Sequence, residues 1–166
     1  MRTLTLRELN RATLARQLLL ERRRLGVVDA VERLAGMQAQ WGPAPYVGLW
    51  TRVGGFRRET LERAILARRL VRAILMRGTV HLVSARDYGT FGAAVGRPPW
   101  LKTEVEEIAD RLHDAIVAFG QEPRTRREVE EFLAKEHGIR VEDAPALWYG
   151  LRTKGRLTHA PRRHRQ

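Results

Sequence analysis

The 166-residue chain contains no cysteine. That absence removes disulfide bridges, thiolate nucleophiles and cysteine-ligated zinc together. Serine is almost as scarce: Ser84 stands alone, and an S-x-x-D spacing to Asp87 marks it as a helix cap rather than a nucleophile. Long apolar runs are missing too, so no segment is expected to span a bilayer. The opening "MRTLTLRELN" has no continuous apolar core of the kind a signal peptide needs. A cytoplasmic location is expected, nucleoid-associated if the source is bacterial. The five histidines (His81, His113, His137, His159 and His164) show no metal-ligand spacing. No Walker-type or G-x-G-x-x-G loop occurs. Neither a metal nor a cofactor is expected.

Lysine is also rare. Only Lys102, Lys135 and Lys154 occur among 31 basic residues, the rest being arginine, against 19 acidic ones. GC-rich coding explains arginine in place of lysine, but not the excess over Asp and Glu. The net charge of +12 points to a polyanionic partner, because neutralising phosphates releases counterions. Nucleic acid is the partner that the charge points to. With 43% hydrophobic and 30% charged residues, the composition is that of a globular protein, sized for one ordinary or two small domains.

Along the chain, Thr5 and Glu8 form a T-x-x-E capping box that opens a helix through Leu6, Leu9, Leu14 and Leu18. Arg22–Arg24 follow, read as a dipole-compensating helix end more than as a phosphate patch. Asp29 is expected to cap a short helix carrying Val31, Leu34 and Ala35, stopped at Gly36. "APYVGLWTRV" (44–53) predicts another short helix, and "RETLERAILARR" (58–69) a strongly amphipathic one. Two strands around Arg77-Gly78 are then expected, "LVRAILM" (70–76) and "TVHLV" (79–83). Short helices followed by a hairpin is the order of a winged helix. After the connector "GRPPWLKTE" comes a helix near 104–119. A second capping box, Thr125 to Glu128, opens a helix over 124–138, and 141–160 supplies another helix and a strand-like "GRLTHA". The fold class expected is mainly α with small β-hairpins, a tandem winged helix whose second unit is incomplete. The divisions are 1–96 for the first unit, 97–120 for connector and helix, and 121–166 for a second unit cut short at "PRRHRQ". An incomplete C-terminal hairpin would leave an edge open to self-association.

One stretch stands apart. In "AGMQAQWGP" (35–43), Gln38 and Gln40 flank Ala39. On a helix, residues two apart diverge by about 200°; on an extended backbone they point the same way. The alternation predicts Met37, Ala39 and Trp41 packed inward while both amides face one opening. Paired loop glutamines alone are more often structural or solvated than functional.

The combination of blocks changes that balance. "RELNRATLARQLLL", "VERLAGMQAQ", "APYVGLWTRV" and "RRLVRAILMRGTVHLVSARDY" together resemble the N-terminal part of the AlkZ/YcaQ-like DNA glycosylase family. The resemblance covers roughly residues 4–160, with the R-x-L-L helix, the Q-Φ-Q/D motif, P-Y-x-G-L-W and R-G-T-x-H-L-V in order. It implies tandem winged helices, a chain normally about twice this length, and Gln38 and Gln40 as the catalytic pair. Ala39 is a smaller Φ residue than a bulky aliphatic one.

The chemistry is consistent on its own terms. A glutamine amide has no useful proton affinity near neutral pH, but its carbonyl can hold a water for attack. That assistance suffices only for a leaving group already activated. An N7-alkylated guanine is cationic, and two carbonyl dipoles near C1′ would favour the developing positive charge of the sugar. Hydrolysis of cationic alkylpurine nucleotides, interstrand crosslinks included, is the activity implied.

For DNA contacts, Arg77 sits at the expected wing tip with Thr79 beside it. His81 is read either as channel-facing or as a packed strand residue, with packing favoured. Arg52 is a weaker phosphate candidate. Trp41 and Trp50 are placed in a small helical core more readily than on stacked bases. Two other readings stand beside the enzyme: a non-catalytic winged-helix DNA-binding module, and an inactive truncated fragment.

Overall fold

The structure is a computed structural model that describes residues 3–95, 103–140, 142, 144–153 and 157–160. It is mainly helical, with one small antiparallel sheet. The chain divides into two compact units. The first comprises Met1–Arg72 with Val80–Asp87, and the second Ala73–Thr79 with Tyr88–Gln166.

In the first unit, α1 (Leu6–Arg16) opens on the expected capping box: Thr5 accepts from the Glu8 backbone while Glu8 reaches back to Thr5. It buries none of its own residues, and Leu6, Leu9 and Leu14 remain exposed. α2 (Val27–Arg33) starts one turn earlier than the sequence predicts, with Gly26 at the N-cap. Asp29 is therefore not the cap. It lies in the first turn, where a carboxylate still favours the helix dipole. Ala35 (φ 55) and Gly36 (φ 97) then reverse the chain into a strand, β1 (Met37–Gln38).

α3 (Ala44–Trp50) lies against β1, with the Met37 methyl seated on Gly48 in the space a Cβ would take. α4 (Arg58–Leu66) follows, burying Leu61 and Ala64. β2 (Leu70–Ile74) and β3 (Val80–Ser84) form the expected hairpin. The sheet order is β1-β3-β2, so the glutamine segment supplies a third strand. All five residues of β3 are buried. Around it the core gathers Val27, Ala30, Val31, Leu49, Leu61, Leu70 and Leu82. Ser84 caps α5 (Ala85–Ala94) by accepting from the Asp87 backbone N–H at 3.2 Å.

Trp41 and Trp50 correct the core expectation. They are 65% and 57% exposed. The short α3 has room to bury one face only, and Pro45, Gly48 and Leu49 occupy it.

In the second unit, α6 (Thr103–Phe119), α7 (Arg126–His137) and α8 (Ala144–Thr153) pack around Ala109, Leu112, Ile116, Val129, Leu133, Leu147 and Leu151. Phe119 and Phe132 stack with centroids 4.2 Å apart. The second capping box, Thr125 with Glu128, forms as the spacing predicts, and Gly138 ends α7 in the left-handed conformation. The hairpin turn belongs to this unit as a 3-10 turn, Met76–Gly78. Gly78 has φ +69, and the Tyr149 hydroxyl stands where its Cβ would be. Of the strand expected over 155–160, the described part, 157–160, carries a single bridge residue at His159; "PRRHRQ" lies outside the described residues.

Candidate functional site

Extended backbone begins as soon as α2 ends. Gly36 N–H closes the helix on the Val31 carbonyl at 2.9 Å. β1 then pairs antiparallel with β3, Met37 opposite Leu82 and Gln38 opposite His81. Directly opposed residues share a sheet face, so Gln38 projects on the side of His81. Gln38 is exposed while His81 keeps only 7% of its surface.

Ala39 is the anchor between the two amides. Its N–H donates to the Val80 carbonyl at 2.7 Å, and its own carbonyl accepts from Arg72 Nη2 at 2.9 Å. It has no exposed surface. Strand backbone thus holds the Ala39 main chain on one side and a guanidinium on the other. Arg72 is a contributor the sequence reading missed. The signal was present as an arginine inside the apolar strand "LVRAILM", which reads only as an interruption until its partner is known.

Gln40 continues the ladder with its side chain. Val80 N–H donates to Gln40 Oε1 at 3.0 Å, where a backbone carbonyl would otherwise serve. The amide therefore bends toward β3, and the residue remains exposed overall. Both glutamines consequently meet consecutive residues of β3, His81 and Val80. The third residue of the expected inward set, Trp41, turns outward instead, and Met37 is half-buried.

Arg52 is committed within the protein. Its Nε donates to the Gln17 carbonyl at 2.8 Å, and its Nη1 to the Gly48 carbonyl at 2.9 Å and to Thr51 Oγ1 at 3.1 Å. Partial burial pulls its pKa below the ordinary value. The guanidinium ties the segment after α1 to the end of α3. Arg22, read as a helix-end charge, holds the Val53 carbonyl at 3.1 Å and lies over the Trp50 ring at 5.2 Å.

In the second unit, Arg77 is exposed at the hairpin turn with φ 56, a left-handed conformation that few non-glycine residues adopt. Gly78 N–H closes the turn on the Leu75 carbonyl at 2.9 Å, and the Thr79 hydroxyl contacts the Met76 carbonyl at 3.3 Å. A cleft of about 440 Å³ in the same unit is lined by Val105, Ile108, Gly138, Ile139, Arg140 and Leu147. Its lining is aliphatic apart from one arginine. Among the described residues, no group of three or more His, Asp or Glu side chains is placed to hold a metal ion. No helix among them is long and apolar enough to cross a membrane.

Comparison with known proteins adds the family. A solved structure, the Streptomyces sahachiroi DNA glycosylase AlkZ, superposes with a TM-score of 0.70 at 24% sequence identity. The match covers 90% of this chain and 44% of that one; at this identity it speaks for a shared fold. No curated protein matches the sequence. A family model described as DNA glycosylase AlkZ-like matches residues 31–166, which takes in Gln38, Gln40 and the whole hairpin and leaves α1 outside. On that match over most of its length, the chain belongs to the AlkZ-like DNA glycosylase family.

Proposed function

We propose that this chain acts on double-stranded DNA and hydrolyses the N-glycosidic bond of cationic N7-alkylpurines, interstrand crosslinks included. Gln38 and Gln40 are the residues assigned to the reaction. Water attacks C1′ as the bond from C1′ to N9 breaks. The bonding pair moves onto the base and cancels its charge, so 7-methylguanine leaves neutral. The water gives up one proton to solvent, and an abasic sugar remains. Neither glutamine takes that proton; their carbonyls orient the water and favour positive charge on the sugar.

The observation that carries the reading is the anchoring of the pair. Two exposed amides flank a residue whose N–H and carbonyl are both tied, to Val80 and Arg72. A carbonyl oxygen has two lone pairs, so the Val80 bond fixes Gln40 Oε1 and leaves a second acceptor position. Helix, short strand, two helices and hairpin, with β1 on β3, is the order that supports a winged helix for the first unit. Arg77 and Thr79, at the turn, are the contacts assigned to the duplex. The charge of +12 supports the same partner, and the location that goes with this reading is cytoplasmic, nucleoid-associated if the source is bacterial.

One observation favours a second reading. The Val80 bond gives Gln40 a purely structural task, which a non-catalytic DNA-binding module would use equally well. A single-turnover excision assay on a duplex containing N7-methylguanine separates the two. Release of free base by the parent, slowed in Gln38→Ala and Gln40→Ala while DNA affinity is kept, supports the glycosylase. DNA binding without base release supports the module.

A further inference from the structure

Exposed apolar side chains scattered over a surface are ordinary. The segment that follows the glutamines is different. Trp41 is the next residue after Gln40 and is 65% exposed; Trp50, the last residue of α3, is 57% exposed; Val47 between them is 52% exposed. Two indoles therefore bracket a short helix whose other face is anchored on β1 through Gly48 and Met37. A cation accompanies them, since Arg22 lies over the Trp50 ring at 5.2 Å.

We infer that Trp41 and Trp50 form a nucleobase-stacking platform beside the glutamine pair, engaging bases whose stack has been opened at the lesion. The inference rests on the DNA-directed reading above. Four points carry it. An indole face is indifferent to base identity, because every base has a π-face to stack on. Inside an intact duplex those faces are covered by neighbouring base pairs, so the occupant must be an opened or unpaired base. The protein surface supplies a positive charge at the aromatic site, which suits a polyanion and opposes a second copy of this strongly basic chain. Trp41 is covalently continuous with Gln40, so the two α-carbons are about 3.8 Å apart, and a base held there would sit next to the proposed chemistry.

The experiment uses the intact chain and three DNA probes: an intact duplex, the same duplex with a single abasic-analogue gap, and a single-stranded oligothymidylate. Binding is followed by tryptophan fluorescence and by anisotropy of labelled DNA. Stacking quenches an indole, whereas phosphate contact alone does not. The parent is expected to show quenching with the gapped duplex and the single strand, and little with the intact duplex. Trp41→Ala and Trp50→Ala are each expected to lose part of that quench and about tenfold or more in affinity for the gapped duplex, with the salt slope unchanged. Trp41→Phe and Trp50→Phe keep an aromatic face and are expected to recover most of the affinity, which separates stacking from misfolding.

Unchanged affinity and quench in both alanine variants overturns the platform. So does a parent dimer in sedimentation that either alanine variant converts to monomer, since the surface would then be a protein interface. The Gln38→Ala/Gln40→Ala double variant run alongside keeps the two readings apart. If the parent quenches on gapped DNA but releases no 7-methylguanine, the glycosylase reading fails and the platform stands.

Discussion

The side-chain carbonyl of Gln40 accepts a hydrogen bond from the backbone N–H of Val80 at 3.0 Å, completing a strand ladder that the backbone of residue 40 does not complete. This bond makes Gln40 a structural residue whatever its chemistry. Gln40→Ala leaves the part-buried Val80 N–H unmatched and should cost about 1–3 kcal/mol. Gln40→Glu keeps an acceptor and should stay close to the parent. Urea unfolding of the three proteins checks this, and equal midpoints for parent and alanine variant would contradict the bond.

Gln38 lies in β1, its backbone paired opposite His81. On the proposed function Gln38→Ala should slow single-turnover base release by about a hundredfold, as loss of a positioning group does. Rapid-quench kinetics on N7-methylguanine DNA checks this, and a rate equal to the parent's would remove Gln38 from the reaction.

Arg52 and Arg77 should behave oppositely. Arg52 is spent on the Gln17 and Gly48 carbonyls, so Arg52→Gln should lower stability by about 1–2 kcal/mol while barely changing DNA affinity. Arg77 is exposed at the turn, so Arg77→Gln should leave stability alone and reduce the slope of log affinity against log salt by about one. Anisotropy titrations across a salt series, paired with thermal melts, distinguish them.

Gly78 combines a left-handed backbone with the Tyr149 hydroxyl pressed against it. Gly78→Ala should cost about 1–2 kcal/mol from the backbone conformation alone, and more from the collision. Combining Gly78→Ala with Tyr149→Phe should recover the steric part and not the conformational part. A double-mutant cycle by denaturant unfolding measures the coupling, and strict additivity would argue against the contact.

Tyr88 gives the alkaline limit. Its phenol donates to the Leu157 carbonyl at 3.0 Å, and burial pushes its pKa up to about 12, against about 10 in an unfolded chain. The native state holds this proton where the unfolded state releases it. The associated stability is intact below about pH 10 and is lost as pH rises through about 12. Tyr88→Phe should be less stable at neutral pH yet flatter in that window, as urea midpoints at about pH 9 and about pH 11.5 would show.

Much of the local structure was legible because it is written in short range. Both capping boxes, the Ser84 cap and the hairpin around Arg77-Gly78 depend on residues three or four apart, and they form where their spacing places them. Asp29 was misplaced because Gly26 offers an equally short entry, and an acidic residue suits either position. The glutamine segment was half legible. Alternation gave an extended backbone, but pairing with β3 depends on residues some forty positions away. For the same reason the Arg72–Ala39 bond and the Arg52–Gln17 bond were hidden. Trp50 was misread because volume argues for a core, whereas its exposure is decided by which face of α3 is already filled.

Ala39 has no exposed surface, and both of its backbone groups are tied. It works as a rigid spacer, so the main chain beneath the two amides is immobilised during folding and not at the encounter with substrate. On the proposed chemistry, most of the entropy of bringing two dipoles to one sugar is then lost in advance. Base release should accordingly show a barrier dominated by enthalpy, with a small activation entropy. Loosening the spacer with Ala39→Gly should shift the balance toward entropy even where the rate at one temperature hardly changes.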